Sequence, residues 1–169
     1  MERKIQEILA KFKGKQKALN YYLAGFADGE GSFSVSIIRT DMTVTGWAVN
    51  PGFHVYQHEQ HREILELFQF VFKTGKIYRK SGTHPVLNYS VSTLQSITEK
   101  VIPFFDKYPL VVKEETYKKF RFIIAMMERK EHLTVQGFMK IVNIAYTMNQ
   151  QGKGRKYSKE YILSTLPKL

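Results

Sequence analysis

"YYLAGFADGEGSFSVSI", residues 21–37, joins two different periodicities almost without a break. Tyr21 to Ala27 is apolar or small nearly all round, and a helix without a polar face must be covered on several sides. The spacing predicts a helix from Asn20 to Asp28, with Asn20 as its N-cap. From Gly31 the period falls to two. Phe33, Val35 and Ile37 alternate with Ser32, Ser34 and Ser36, as in a half-buried strand. Ala24, Gly25 and Ala27 would let another backbone come close, which suggests a helix–helix interface. At the junction Asp28 and Glu30 stand among glycines. Alone, a D-G-E-G run reads as a helix end and a turn, because Asp and Gly are ordinary turn formers.

Working outward, residues 2–12 place Ile5, Ile8, Leu9 and Phe12 at helical intervals. "GFHVYQ" (52–57) repeats the strand period, with Phe53 and Val55 inward and His54 and Tyr56 outward. Residues 41–52, with Asn50-Pro51-Gly52, read as a turn or long hairpin loop. "HREILELFQFVFK" (61–73) is a helix with Ile64, Leu65, Leu67, Phe68, Val71 and Phe72 on its apolar side. "GKIYRK" (75–80) and "VLNYSVS" (86–92) are two strands around a turn at 81–85. Ser92 or Thr93 would cap a helix over 94–102, and "PFFDKYPLVV" (103–112) follows it. Helices are expected at about 114–130 and 135–149, and Ser158 would cap a short last one. The order is α+β, with an antiparallel sheet covered by helices on one face.

The 169 residues carry 26 Lys plus Arg against 15 Asp plus Glu, a formal charge of +11. A single domain spanning 1–169 suits that length. The excess sits at the ends, in a helical extension over 1–19 and a basic loop and helix over 150–169. Such charge points to a polyanionic partner. With no cysteine, disulfides and thiolate zinc sites are excluded. No apolar run is long enough to span a membrane, and the basic start lacks the apolar stretch of a secretory signal. An intracellular protein is expected, in a microbe or an organelle matrix.

The outward side of the strands is rich in Ser, Thr, Asn, His, Tyr and Lys, at spacings that suit base edges in a major groove. The same composition also fits a solvated face. Carboxylates at such a surface would repel phosphates. A divalent cation resolves the conflict, since carboxylate and carbonyl oxygens suit magnesium.

Residues 21–37 resemble the signature of the LAGLIDADG homing endonucleases: a small-residue apolar helix, two acids two apart, glycines around the second, then a strand. "GKIYRK", the second hairpin, "PFFDKYPLVVK" and "YSKEYIL" are similar too, so the likeness covers about residues 20–165. It implies an αββαββα core with a saddle-shaped sheet, extended at both ends. With one copy of the motif, this chain resembles the homodimeric type, with Tyr22, Ala24, Gly25 and Asp28 at the contact between copies. The resemblance implies that Glu30 and the Gly29 carbonyl hold Mg2+, that Gln57 positions water or metal, and that Lys113 faces the scissile phosphate. Asp28 matches an acid of structural rather than catalytic character.

The implied activity is a double-strand break in a long, roughly palindromic DNA target during intron homing. Ser32, Ser34, Ser36, Thr40, His54, Tyr56, Lys76, Tyr78, Lys80, Asn88 and Ser90 would lie along the groove. Lys153, Arg155 and Lys156 would hold backbone phosphates. His61 stands where some relatives carry Arg. The alternatives are a maturase that binds intron RNA and a DNA-binding relative that does not cleave.

Overall fold

The computed structural model describes residues 2–12, 14–80, 85–149 and 155–167. In chain order the elements are α1 (Glu2–Lys11), α2 (Gln16–Glu30), β1 (Gly31–Arg39), β2 (Trp47–His58), α3 (Arg62–Phe72), β3 (Lys76–Arg79) and β4 (Val86–Val91). Then come α4 (Leu94–Ser96), a π-helical stretch Ile97–Val101, α5 (Ile102–Lys107), α6 (Glu114–Glu128), α7 (Val135–Ala145) and α8 (Lys159–Ser164). The α+β class and the αββαββα order hold, from α2 to the helical run that starts at Leu94. The four strands form one sheet in the order β1-β2-β4-β3, with β2–β4 and β3–β4 antiparallel. No helix among the described residues is long and apolar enough to cross a membrane.

The chain divides into two compact units. The first comprises Met1–Ser32 and Phe53–Glu114. Its core is aromatic: Phe53 packs against Phe68, Phe72, Tyr89 and Phe105, with ring centroids 5.3–6.4 Å apart. Leu19, Leu23 and Ala27 of α2 are also fully shielded. The Tyr89 hydroxyl, buried among these rings, donates to the Thr74 carbonyl at 2.9 Å, so its polar end is satisfied.

Three boundaries here differ from expectation. Helix α2 starts at Gln16, four residues early, and Lys15 before it makes no side-chain cap. Asn20 lies within the helix instead. Its amide accepts from Gln16 Nε2 at 2.8 Å and donates to the Tyr108 hydroxyl at 3.0 Å. The helix then enters β1 with no loop. A Cβ on Gly31 would meet the Ala27 carbonyl oxygen at 2.5 Å, so only glycine fits that junction. Finally, Thr93 caps α4 through the Ser96 N–H, but the helical run passes 102 and continues through Pro103 to Lys107. The wide π turn ahead of α5 places Pro103 in a first turn, where a missing N–H and a fixed φ are tolerated.

The second unit comprises Phe33–Gly52 and Glu115–Leu169. Phe33 of β1 packs on Tyr117 and Phe120 of α6, with centroids 5.3 and 5.4 Å away. Trp47 is buried, donates Nε1 to Thr165 Oγ1 at 3.0 Å and meets Tyr157 edge-on. The hairpin turn is 40–46, not 41–52. Thr43 and Thr45 hydroxyls both donate to the Trp47 carbonyl, and Gly46 takes a φ of +73°. Asn50-Pro51-Gly52 is strand because burial overrides its turn chemistry: Pro51 and Gly52 are shielded. Pro51 also precedes the β4 register, which begins at Phe53, so its absent N–H breaks no bond of that ladder. Thr134 and Ser158 cap α7 and α8, the second as expected.

Candidate active site and nucleic-acid interface

The C-terminus of α2 gathers four of the expected residues. The Asp28 carboxylate accepts backbone N–H bonds from Val111 and Val112 at 2.9 Å and from Lys113 at 2.8 Å, just ahead of α6. The Lys113 ammonium donates to the Gly29 carbonyl at 2.8 Å and also to the Asp28 carbonyl. Glu30 is exposed, and its carboxylate has no hydrogen bond or ion pair among the described residues. Two carbonyls at a helix C-terminus form a negative end, and here a cation already sits on them. The donor set therefore fits magnesium: one open carboxylate and one carbonyl oxygen, all hard ligands. The Gly29 carbonyl is shared with Lys113, which sequence alone did not suggest. Among the described residues no group of three or more Asp, Glu, His or Cys side chains is placed to hold a metal ion together. One chain thus offers one carboxylate.

Asp28 is half-buried and clamps the segment ahead of α6 within its own chain. Burial raises its pKa, but the three N–H donors and the Lys113 charge outweigh this and hold it below the ordinary 3.8. A depressed folded value stabilises the fold above the unfolded pKa, and that contribution is lost as pH falls through the folded one. Asp28→Ala should cost about 1 kcal/mol near neutral pH. In urea titrations the difference from wild type should shrink as pH falls through the lowered folded-state pKa of Asp28.

Ala24 is only 2% exposed and belongs to the core of its own unit, which corrects its assignment to an outer contact. The open face of α2 carries Tyr21, Tyr22, Gly25 and Gly29 instead, and a Cβ on either glycine would meet nothing within 4 Å. Val111 and Val112, tied to Asp28, are strongly exposed. No local pattern marks them, because the bond that places them spans 83 residues. Gln57 lines a groove of about 400 Å³ with Tyr22, Phe26 and His61. Its Oε1 accepts from the His58 N–H at 2.7 Å, leaving the amide NH2 available.

On the first unit's part of the sheet, register sets two rows across β2, β4 and β3. These are His54–Ser90–Lys76 and Tyr56–Asn88–Tyr78. Asn88 sits in the central strand at 4% exposure and donates Nδ2 to the Tyr78 hydroxyl at 2.6 Å. It is a strut that aims Tyr78, not the freely exposed reader expected. His54 stacks on Tyr56, with Lys80 over the other ring. Burial lowers the His54 pKa, which keeps the imidazole neutral at ordinary pH. Among the described residues, His54 Nδ1 and Asn88 Oδ1 are shielded and have no hydrogen-bond partner.

In the second unit Ser36 is exposed, Ser34 Oγ donates to the Gly52 carbonyl at 3.4 Å, and Thr40 Oγ1 accepts from the Met42 N–H within the turn. Ser32, in the first unit, is half-buried. Lys156 is exposed. Arg155, expected at a phosphate, is half-buried and donates to the Val35 and Ala145 carbonyls at 2.8 Å each. Lys153 lies outside the described residues.

Residues 23–124 match the LAGLIDADG endonuclease family. The chain is 35% identical over 123 residues to DNA endonuclease I-CeuI of Chlamydomonas moewusii, covering 72% of this chain and 56% of that one. It is 31% identical over 157 residues to homing endonuclease I-ApeII of Aeropyrum pernix, covering 90% and 92%. Among solved structures it superposes on the archaeal intron-encoded homing endonuclease I-Vdi141I complexed with DNA. That match has a TM-score of 0.81 at 30% identity, covering 89% of this chain and 95% of the other. The chain thus spans just over half of the first of these curated relatives.

Proposed function

The chain belongs to the LAGLIDADG endonuclease family, and on that premise we propose that it is a site-specific, magnesium-dependent DNA endonuclease of intron homing. It works as a homodimer and makes a double-strand break in a long, roughly palindromic duplex. The observation that carries this reading is the end of α2, where the open Glu30 carboxylate stands beside carbonyls that already hold a cation. One carboxylate per chain is too few for a two-strand cut, so a second copy supplies the second. The open α2 face, with Tyr21, Tyr22, Gly25 and Gly29, is where the copies meet.

Glu30 and the Gly29 carbonyl would hold Mg2+. When bound, the ion supplies Lewis-acid polarisation of the phosphate and lowers the pKa of bound water. Lys113 neutralises charge that develops on the phosphate oxygens. Gln57 offers its amide to orient the attacking water. The rows His54–Ser90–Lys76 and Tyr56–Tyr78 face the groove with Ser32, Ser34, Ser36, Thr40 and Lys80, and Lys156 meets the backbone. The printed descriptions of the relatives support the substrate: one is a DNA endonuclease, and another was solved with DNA. The proposed place of action is a microbial cell or an organelle matrix.

The test is incubation of the chain with duplex from its own coding locus and with a randomised duplex library, with magnesium or with EDTA. Cleavage of both strands at one site, abolished by EDTA, is expected. Binding of intron RNA without cleavage would replace this reading with the maturase one. Affinity for the selected duplex should fall by about 10³-fold or more between roughly 50 and 200 mM salt, as counterions return to released phosphates.

A further inference from the structure

β1, one of the two edge strands of the sheet, accepts hydrogen bonds from two side chains in the C-terminal part of the second unit. β1 has a sheet neighbour on one side only, so alternate carbonyls of the strand point away from the sheet. A bare edge of this kind is a template for unwanted pairing. Here the Phe33 carbonyl accepts from Asn149 Nδ2 at 2.6 Å and the Val35 carbonyl accepts from Arg155 Nη1 at 2.8 Å. The two carbonyls are one ladder repeat apart, so the side chains take the place that a neighbouring strand would fill. Arg155 Nη2 donates to the Ala145 carbonyl at 2.8 Å, at the open end of α7, and the guanidinium lies 4.5 Å over the Tyr146 ring. Tyr146 in turn donates its hydroxyl to the Tyr157 carbonyl at 2.6 Å. Asn149 has a φ of +44°, a left-handed backbone that Asn tolerates better than most residues. Both terminal nitrogens and one face of the guanidinium are therefore engaged inside the chain.

We propose that Arg155 and Asn149 form a clasp that fixes the register and tilt of β1, and that Arg155 is thereby a positioning residue for sequence discrimination. Ser34 and Ser36 sit on that strand with their side chains opposite to those of Phe33 and Val35. The clasp sets how high they stand against a base edge. The discrimination half of the proposal rests on the DNA reading above. The clasp itself does not.

The test uses the full chain with Arg155→Lys, which retains the charge but loses the fork, and with Asn149→Ala. Hydrogen exchange on the free protein should show β1 amides exchanging about tenfold faster or more, while β4 amides are unchanged. In selections from a randomised duplex library, both variants should lose preference only at the base pairs that β1 reads. The salt slope of binding should keep its wild-type value. If β1 exchange is unaltered, the clasp is overturned. If affinity falls alike on all sequences, the discrimination role is overturned. A slope reduced by about 0.9 with preferences intact would make Arg155 a phosphate contact instead. A wild-type chain that selects no duplex would overturn the DNA reading, and the exchange measurement would still decide the clasp.

Discussion

Glu30→Gln should leave folding, pairing of copies and duplex binding close to wild type and lower cleavage by roughly 10³-fold, equivalent to about 4 kcal/mol of transition-state stabilisation. The amide is nearly isosteric with the carboxylate. Glu30 is exposed at the end of α2 and makes no hydrogen bond or ion pair among the described residues that the change could break, so a folding defect is not expected. The loss falls on the negative charge that would hold the cation. Cleavage rate at saturating protein, read beside binding by gel shift, separates the two effects. Loss of binding in step with cleavage would make Glu30 a folding or docking residue and would remove the proposed role.

Gly25→Leu should separate the copies without harming the protomer. The position opens to empty space within its own chain, and leucine in a helix is favoured over glycine by roughly 1 kcal/mol. The protomer should therefore melt at or slightly above the wild-type temperature. At a two-fold contact the added side chain meets its own copy, so an overpacking cost of about 1–3 kcal/mol is counted twice. The expected loss is about 2–6 kcal/mol, or roughly 30-fold to 10⁴-fold in dimer affinity. Sedimentation across a concentration series measures it. A variant that stays dimeric with wild-type affinity would place the contact elsewhere on the molecule.

What the sequence made legible was local. The helix-to-strand change at Gly31 shows in a period that falls from helical spacing to two over a few residues, and the same stretch displays Glu30. Capping at Thr93 and Ser158 was readable for the same reason, since a hydroxyl and the turn it closes are neighbours. The start of α2 was missed because Gln16 to Leu19 form a helix through propensity with no capping side chain. Asn50-Pro51-Gly52 was misread because its turn chemistry is local, whereas the burial that overrides it is not. Within the site, residue type located Glu30 and Lys113 but not how Lys113 is used. Its ammonium on the Gly29 carbonyl and the Asp28 clamp on Val111 and Val112 each join residues more than 80 positions apart. Ala24 and Gly25 are adjacent and both small, and only the packing of α2 shows that one faces the core and the other faces out. Arg155 shows the same limit: nothing local in the basic stretch reveals that its guanidinium donates to the Val35 and Ala145 carbonyls.

Mixed dimers test the central claim most directly. Wild-type chain and a differently tagged Glu30→Gln chain are combined, the doubly tagged species is isolated, and its products on the selected duplex are resolved strand by strand. One intact carboxylate should cut one strand, so the mixed species should nick the duplex while wild type breaks it. Cutting of both strands by the mixed species at the wild-type rate would contradict the assignment of one Glu30 to each strand.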